Sequence, residues 1–221
     1  MSRVLGIGDL HLPFTHRKYL SFCKKQYKLW DCDRVVYLGD LVDNHAISFH
    51  ENEFGHMSAS DELREAQREI KKWVKAFPKA DVCIGNHDCL PQRKAKSIGL
   101  PPQWIRDYSE VYETPNYNWD LSHRIQGVDY KHGRGSGKNA AINMATAGAT
   151  SRSTVIGHLH AFGGVQFAAS EDNLVFGLNV GCGIDIRRYA FHYGKDFPNR
   201  PTLGCGIIDE GKEGFFIPMQ L

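Results

Sequence analysis

Long hydrophobic runs are missing from this chain. No apolar stretch approaches the ~20 residues that a membrane-crossing helix requires. The opening residues MSRVLGIGDLH enter a glycine-punctuated apolar segment almost at once, so no secretory leader is expected in them and a cytoplasmic location is. A dominant charge is missing too. The 27 Lys and Arg against 25 Asp and Glu leave a formal net charge of +2. That balance gives no whole-chain reason to bind nucleic acid or an anionic membrane, although local basic clusters stay open. Paired cysteines are also absent: Cys23, Cys32, Cys83, Cys89, Cys182 and Cys205 are scattered with no CxxC. This excludes a zinc-knuckle spacing, and the thiols are expected to be reduced, small core residues. There is no internal repeat, low-complexity tract or linker, so residues 1–221 are expected to form a single domain. What the chain does have is histidine, eleven in all.

Hydrophobic patterning alternates between short β-branched runs and helical periodicity. Residues 3–7 (RVLGI), 35–38 and 81–84 are predicted strands, each closing on Gly-Asp or Gly-Asn. Helices are predicted over 16–30 and over 59–77. The second is entered through Ser60 and carries Leu63, Ala66, Ile70, Trp73, Val74 and Phe77 on one face. Repeated strand-helix-strand units predict an α/β fold with a largely parallel core. The second half reads as a hairpin around Gly127, a short Ala-rich helix over 138–148 and a strand at 155–156. Further strands are predicted at 164–169, 174–180, 203–208 and 215–219. Their turn-separated alternation predicts antiparallel pairing and a second sheet.

Five stretches share one design, in which a strand leads to a glycine or sharp turn and then to Asp, Asn or His. They are GDLH (8–11), GDLVDN (39–44), GNHD (85–88), KHG (131–133) and GHLH (157–160). In open α/β sheets, ligands bind outside the carboxyl ends of strands. Taken singly, each piece has an ordinary explanation. Asp9 and Asp40 read equally as helix caps, Asn86 as a turn residue, and His132 as a surface or structural histidine. His158 and His160 fall on one side of an extended segment, which also occurs by chance. The coincidence of all five in this order argues for a shared site.

The order GDxH, GDxxD, GNHD, H, GHxH resembles the calcineurin-like metallophosphoesterases and spans residues 8–160, about two thirds of the chain. The resemblance implies a four-layer αββα sandwich, with two packed mixed β-sheets flanked by helices. It implies two divalent metal ions at the strand ends. Asp9, His11, Asp40 and His160 would hold the first, and Asp40, Asn86, His132 and His158 the second. Nitrogen and oxygen donors without thiolate suit borderline divalent metals, with Mn first in order and Fe, Zn, Ni or Co as alternatives. The implied chemistry is attack on phosphorus by a hydroxide activated between the metals. His87 matches the family's general acid, and Asp43 the carboxylate that orients it.

Two departures bear on the substrate. Serine/threonine protein phosphatases of the family usually continue the second motif with Arg-Gly and end the third in Glu; here Asn44-His45 and Asp88 stand there. The missing arginine would grip a phosphomonoester dianion. The pattern therefore resembles the phosphodiesterase and nuclease branch, with a nucleotide-like or small diester as substrate and a DNA or RNA nuclease as the alternative. A catalytically inactive scaffold on the same fold is the rival, and retention of every ligand position argues against it. The oligomeric state is not set by the sequence.

The stretch KHGRGSGKNAA (131–141) looks like a nucleotide-binding P-loop, yet its spacing is wrong. His132 stands where the first glycine belongs, and Asn139 where Ser or Thr would reach Mg²⁺. Arg134 and Lys138 instead become candidate substrate contacts beside His132. His45 and Arg187 are further candidates near the rim. Loops 44–59 and 90–118 are expected to face substrate, the second combining Arg93, Lys94, Lys96 and Arg106 with Trp104, Tyr108 and Tyr112.

Overall fold

The computed structural model describes residues 2–49, 57–147, 151–171, 173–189 and 200–220. Strand β1 (Arg3–Ile7) is apolar on both faces because both faces are covered. Val4 points to one core, while Leu5 and Ile7 point to another. Strands β2 (Arg34–Tyr37) and β3 (Ala80–Cys83) repeat the division. Val36 and Cys83 join Val4, whereas Val35, Tyr37 and Val82 join Leu5.

Helices α1 (Tyr19–Leu29) and α2 (Ala59–Ala76) cover the second of these faces. Helix α2 buries Glu62, Ala66, Ile70 and Trp73, a spacing of three to four residues that keeps one stripe against the sheet. Its outward side carries Arg64–Asp61, Arg68–Glu65 and Lys72–Glu69 pairs. The helix begins where the sequence predicts, but its cap lies two residues before the expected one. Ser58, not Ser60, is the cap, its Oγ accepting the Asp61 N–H at 3.2 Å. Helix α1 starts later than predicted, because residues 15–16 bond to the 183–184 segment instead.

After α3 (Leu90–Ser97) and α4 (Tyr108–Val111), strand β4 (Tyr117–Asp120) adds to β3 in parallel. The loop expected over 90–118 is thus partly helical. The predicted hairpin is β5 (Ser122–Ile125) and β6 (Val128–Lys131), turning through Gln126 and Gly127, both at positive φ as a two-residue hairpin turn demands. Helix α5 (Ala140–Thr146) precedes β7 (Thr154–Ile156), β8 (Gly163–Ala169) and β9 (Leu174–Val180). The chain closes through α6 (Ile186–Tyr189), β10 (Gly204–Asp209) and β11 (Glu213–Pro218).

The strands form two mixed sheets, ordered β11-β10-β1-β2-β3-β4 and β5-β6-β7-β9-β8. One expectation needs correction here. The last two strands do not belong to the second sheet; β10 runs antiparallel to β1 and extends the first. Alternation marks a strand as half-covered but does not say whose edge it completes, and β1 has an edge of unpaired backbone groups to satisfy. Between the sheets, Val4, Val36 and Cys83 meet Tyr130, Val155, Phe176 and Leu178. On the outer side of the second sheet, Ala140 and Ala141 of α5 pack on Ile156. The result is helix, sheet, sheet, helix.

Candidate metal centre

The parallel strands of both sheets end at one rim. Asp9 follows β1, Asp40 follows β2 and Asn86 follows β3. From the other sheet, His132 follows β6, and His158 and His160 follow β7. Their approach is so close that side chains are excluded at the preceding glycines. A Cβ on Gly85 would overlap the Asp40 carboxylate, and one on Gly39, at φ +93°, would overlap the His132 ring. His11, Asp40 and His158 themselves adopt positive φ, at 46°, 49° and 67°. Such geometry costs on the order of 1–3 kcal/mol per residue and persists only where surroundings over-determine it. Here the Asp40 carbonyl accepts the Leu10 and His11 N–H groups, and the Asp9 carboxylate accepts the N–H of His158 at 3.0 Å.

Two groups of donor atoms result. The ligand atoms of Asp9, His11, Asp40 and His160 all lie within 4.8 Å of one another. Within that group, His160 Nε2 is 2.8 Å from Asp9 Oδ2 and 3.2 Å from His11 Nε2. In the second, His132 Nε2 lies 2.8 Å from Asn86 Oδ1, 3.1 Å from His158 Nδ1 and 3.3 Å from Asp40 Oδ2. The same Asp40 Oδ2 is 3.6 Å from His11 Nε2, so one carboxylate oxygen stands between the groups.

The tautomers explain why these contacts fit metal ions. His132 Nδ1 donates to the Leu38 carbonyl at 2.8 Å, and His11 Nδ1 donates to Asp43 Oδ1 at 2.7 Å. Each Nε2 is thereby turned towards the other donor atoms of the site, where a bound cation would take the place of a proton. Burial works against ionisation of Asp9 and Asp40, but the neighbouring histidines outweigh it and hold both below the usual carboxylate range. Burial likewise keeps the His11 ring neutral, reinforced by the charge of His87. His132 goes the other way. Burial opposes its charge, yet Asp40 and Asp9 lift it to about 10. These buried carboxylates call for positive charge, and mixed imidazole and oxygen donors without thiolate suit two borderline divalent ions.

Asp43 has two partners. Besides His11, its Oδ1 lies 3.1 Å from His87 Nδ1, and its carbonyl lies 2.6 Å from the same nitrogen. Burial disfavours the His87 charge, but the Asp43 hydrogen bond and the Asp40 charge overcome it and raise His87 to about 10. The sequence pairs Asp43 with His87 alone; its hold on His11 emerges only in three dimensions. Asp88 binds the second and third motifs together, its carboxylate accepting the N–H groups of Val42 at 3.2 Å and Gly85 at 2.8 Å. Burial, with the nearby Asp40 charge, pushes Asp88 up to about 7.

Asn44 is a residue whose part sequence reasoning missed. Its amide donates to the His87 carbonyl and to the Tyr112 hydroxyl, both at 3.1 Å. The only sequence signal was its place where related phosphatases carry arginine. Tyr112 is buried against Tyr108 and Trp119, so two of the aromatics expected to face substrate are packing behind the His87 loop. Trp104 is exposed. Arg93 and Lys94 lie over the Phe49 ring.

The remaining candidates are dispersed. Arg134 and Lys138 are exposed beyond His132, on a loop whose Gly135 and Gly137 border open space. His45 is buried in a short 3-10 turn whose backbone N–H groups are held by Glu62 of α2. Arg187 lies on α6, lining a separate cavity. His123 is close to Val82 and Asp81, away from the rim, and His50, His56 and His192 lie outside the described residues. No described helix is long and apolar enough to cross a membrane.

With this geometry in view, the chain belongs to the calcineurin-like phosphoesterase family, whose pattern matches residues 2–170. Among solved structures it is similar to a metallophosphoesterase from Sphaerobacter thermophilus, at 15% identity and a TM-score of 0.45 over 99% of this chain and 88% of that one. It is similar to Vps29 from Chaetomium thermophilum, at 14% identity and a TM-score of 0.46 over 95% and 85%. It is also similar to the Pseudomonas putida nuclease MPE, at 10% identity and a TM-score of 0.35 over 98% and 87%. No curated protein matches the chain.

Proposed function

We propose that the protein is a metal-dependent phosphodiesterase formed by one catalytic domain over residues 1–221. The observation that carries this reading is the convergence of two donor groups sharing Asp40, with His87 held beside them by Asp43. Asp9, His11, Asp40 and His160 would hold one ion, and Asp40, Asn86, His132 and His158 the other. Mn²⁺ is the first choice, with Fe, Zn, Ni or Co as alternatives. Two bound ions supply Lewis-acid charge at the phosphoryl oxygens and a hydroxide nucleophile near neutral pH.

The protein's own residues provide the rest. Asp43 takes the Nδ1 side of His87 and favours the protonated ring, leaving Nε2 to deliver a proton to the departing alkoxide. The contact between the Asp40 carboxylate and the His87 N–H, at 2.8 Å, fixes the loop that carries this histidine. A diester rather than a monoester is favoured because Asn44 spends its amide on the His87 carbonyl and Tyr112, offering no guanidinium to a phosphate dianion.

The test is hydrolysis of a generic aryl phosphodiester and the matching monoester by protein supplied with Mn²⁺, alongside metal analysis of the purified chain. Faster turnover of the diester is expected. Preference for the monoester would overturn the diester assignment, and absence of both bound metal and activity would favour a scaffold.

A further inference from the structure

A cavity of about 730 Å³ opens beside the metal centre, within the roughly 300–1,000 Å³ usual for ligand sites. Arg17, Lys18, Arg187 and Arg200 line it, together with the apolar side chains of Ile184 and Leu203. Its walls are part of the same backbone network that holds the metal-site loops. Gly183 donates its N–H to the Asp9 carbonyl, and His16 donates to Gly183, both at 2.8 Å. On the far wall, Thr202 donates to the His160 carbonyl at 2.7 Å.

Several cations elsewhere are compensated. Arg3, Arg34, Arg64, Arg68, Lys72 and Arg124 each pair with a carboxylate. Among the described residues, Arg17, Lys18, Arg187 and Arg200 have no such partner. The acids nearby are already engaged: Asp185 accepts the Arg187 backbone N–H, and Glu69, in the adjoining cleft with Arg17, is bonded to Lys72. Arg188, the fifth cation, donates to the Pro13 carbonyl. In a chain of net charge +2, this is a local concentration of positive charge whose mutual repulsion an anion would relieve.

We propose that this cavity receives the nucleotides flanking the scissile phosphate of a single-stranded nucleic acid. The proposal rests on the phosphodiesterase reading and narrows it, because a small diester would occupy the metal centre and leave these cations unused. Phosphates would lie on the arginines, above a floor backed by the buried Ile184 and Leu203. Among the described residues no Phe, Tyr or Trp lines the cavity, so binding is driven by charge, depends strongly on salt and has little base preference.

The test uses metal-loaded protein and a short labelled single strand with phosphorothioate linkages that resist hydrolysis, followed by fluorescence anisotropy over a salt series. An Arg17→Ala/Arg200→Ala variant should bind about tenfold more weakly at low salt. Its log-affinity against log-salt slope should fall by about 0.7 for each cation that touches a phosphate. Its melting temperature and its kcat/KM on an aryl diester should stay at wild-type values. Unchanged affinity and slope would overturn the proposal. So would an equal loss on the aryl diester, which would make the arginines supports of the metal loops. A wild-type protein that hydrolyses the aryl diester but ignores the strand refutes the cavity alone. One that binds the strand through these arginines and cleaves no diester refutes the enzymatic reading and leaves the cavity standing.

Discussion

Asp43 places two histidines at once, and this sharing predicts a mixed phenotype. It fixes the tautomer of His11 through a 2.7 Å contact and holds His87 at 3.1 Å. Replacing His87 with Ala removes only the proton donor. The expected loss is about 10²–10⁴-fold on alkyl diesters, with far less on esters whose leaving groups need no proton. Asp43→Asn should share that leaving-group dependence and also weaken metal binding by about 10–100-fold through His11. Steady-state kinetics over a leaving-group series, with metal titration by calorimetry, separates the two. If Asp43→Asn binds metal like wild type, its hold on His11 is not functional. The sequence offered Asp43 and His87 by their motif positions. It did not offer Asn44, because an amide looks ordinary until its two partners, His87 and Tyr112, come from distant segments.

At the scale of elements, the site is a set of strand ends drawn together until no room remains between them. Gly85 shows how narrow the margin is: any Cβ there meets Oδ1 of the Asp40 carboxylate, whose Oδ2 stands between the two donor groups. Gly85→Ala should therefore retain α-helical circular dichroism while losing most metal binding, a result that metal analysis after dialysis would check. Full metal content in the variant would mean that Asp40 moves aside without harm. Helix α2 contributes at this scale as well, since Glu62 reaches from it to hold the backbone of His45 and Ala46. Its stripe and charged face were legible from periodicity. The cap differs by two residues from the one the sequence suggests because two serines and an aspartate crowd the entry, and only the Asp61 N–H selects Ser58.

For the molecule as a whole, the donor groups bridge the two sheets. Asp9, His11, Asp40 and Asn86 come from the first sheet's strand ends, and His132, His158 and His160 from the second's. Ions bound there would tie the halves of the sandwich across the shared core of Val36, Tyr130 and Phe176. Metal should accordingly stabilise global folding. Ligand in 100-fold excess over its Kd adds about 2.7 kcal/mol, so chelator-treated protein should melt lower than protein supplied with Mn²⁺. The difference should shrink in His132→Ala. Identical melts with and without metal would argue that no folded-state site exists.

The sequence by itself determined the strand-turn-ligand loops, because a glycine beside Asp, Asn or His after an apolar run is a local pattern with a local cause. It determined the helical and strand periods for the same reason. Only the tertiary structure decided which edge β10 and β11 complete, that Asp43 serves two rings, and that Tyr112 is buried behind His87 rather than facing substrate. It alone gathered Arg17, Lys18, Arg187 and Arg200 around one cavity. Those outcomes depend on contacts between residues far apart in the chain, and a net charge or a period sums along the chain without recording which segments meet.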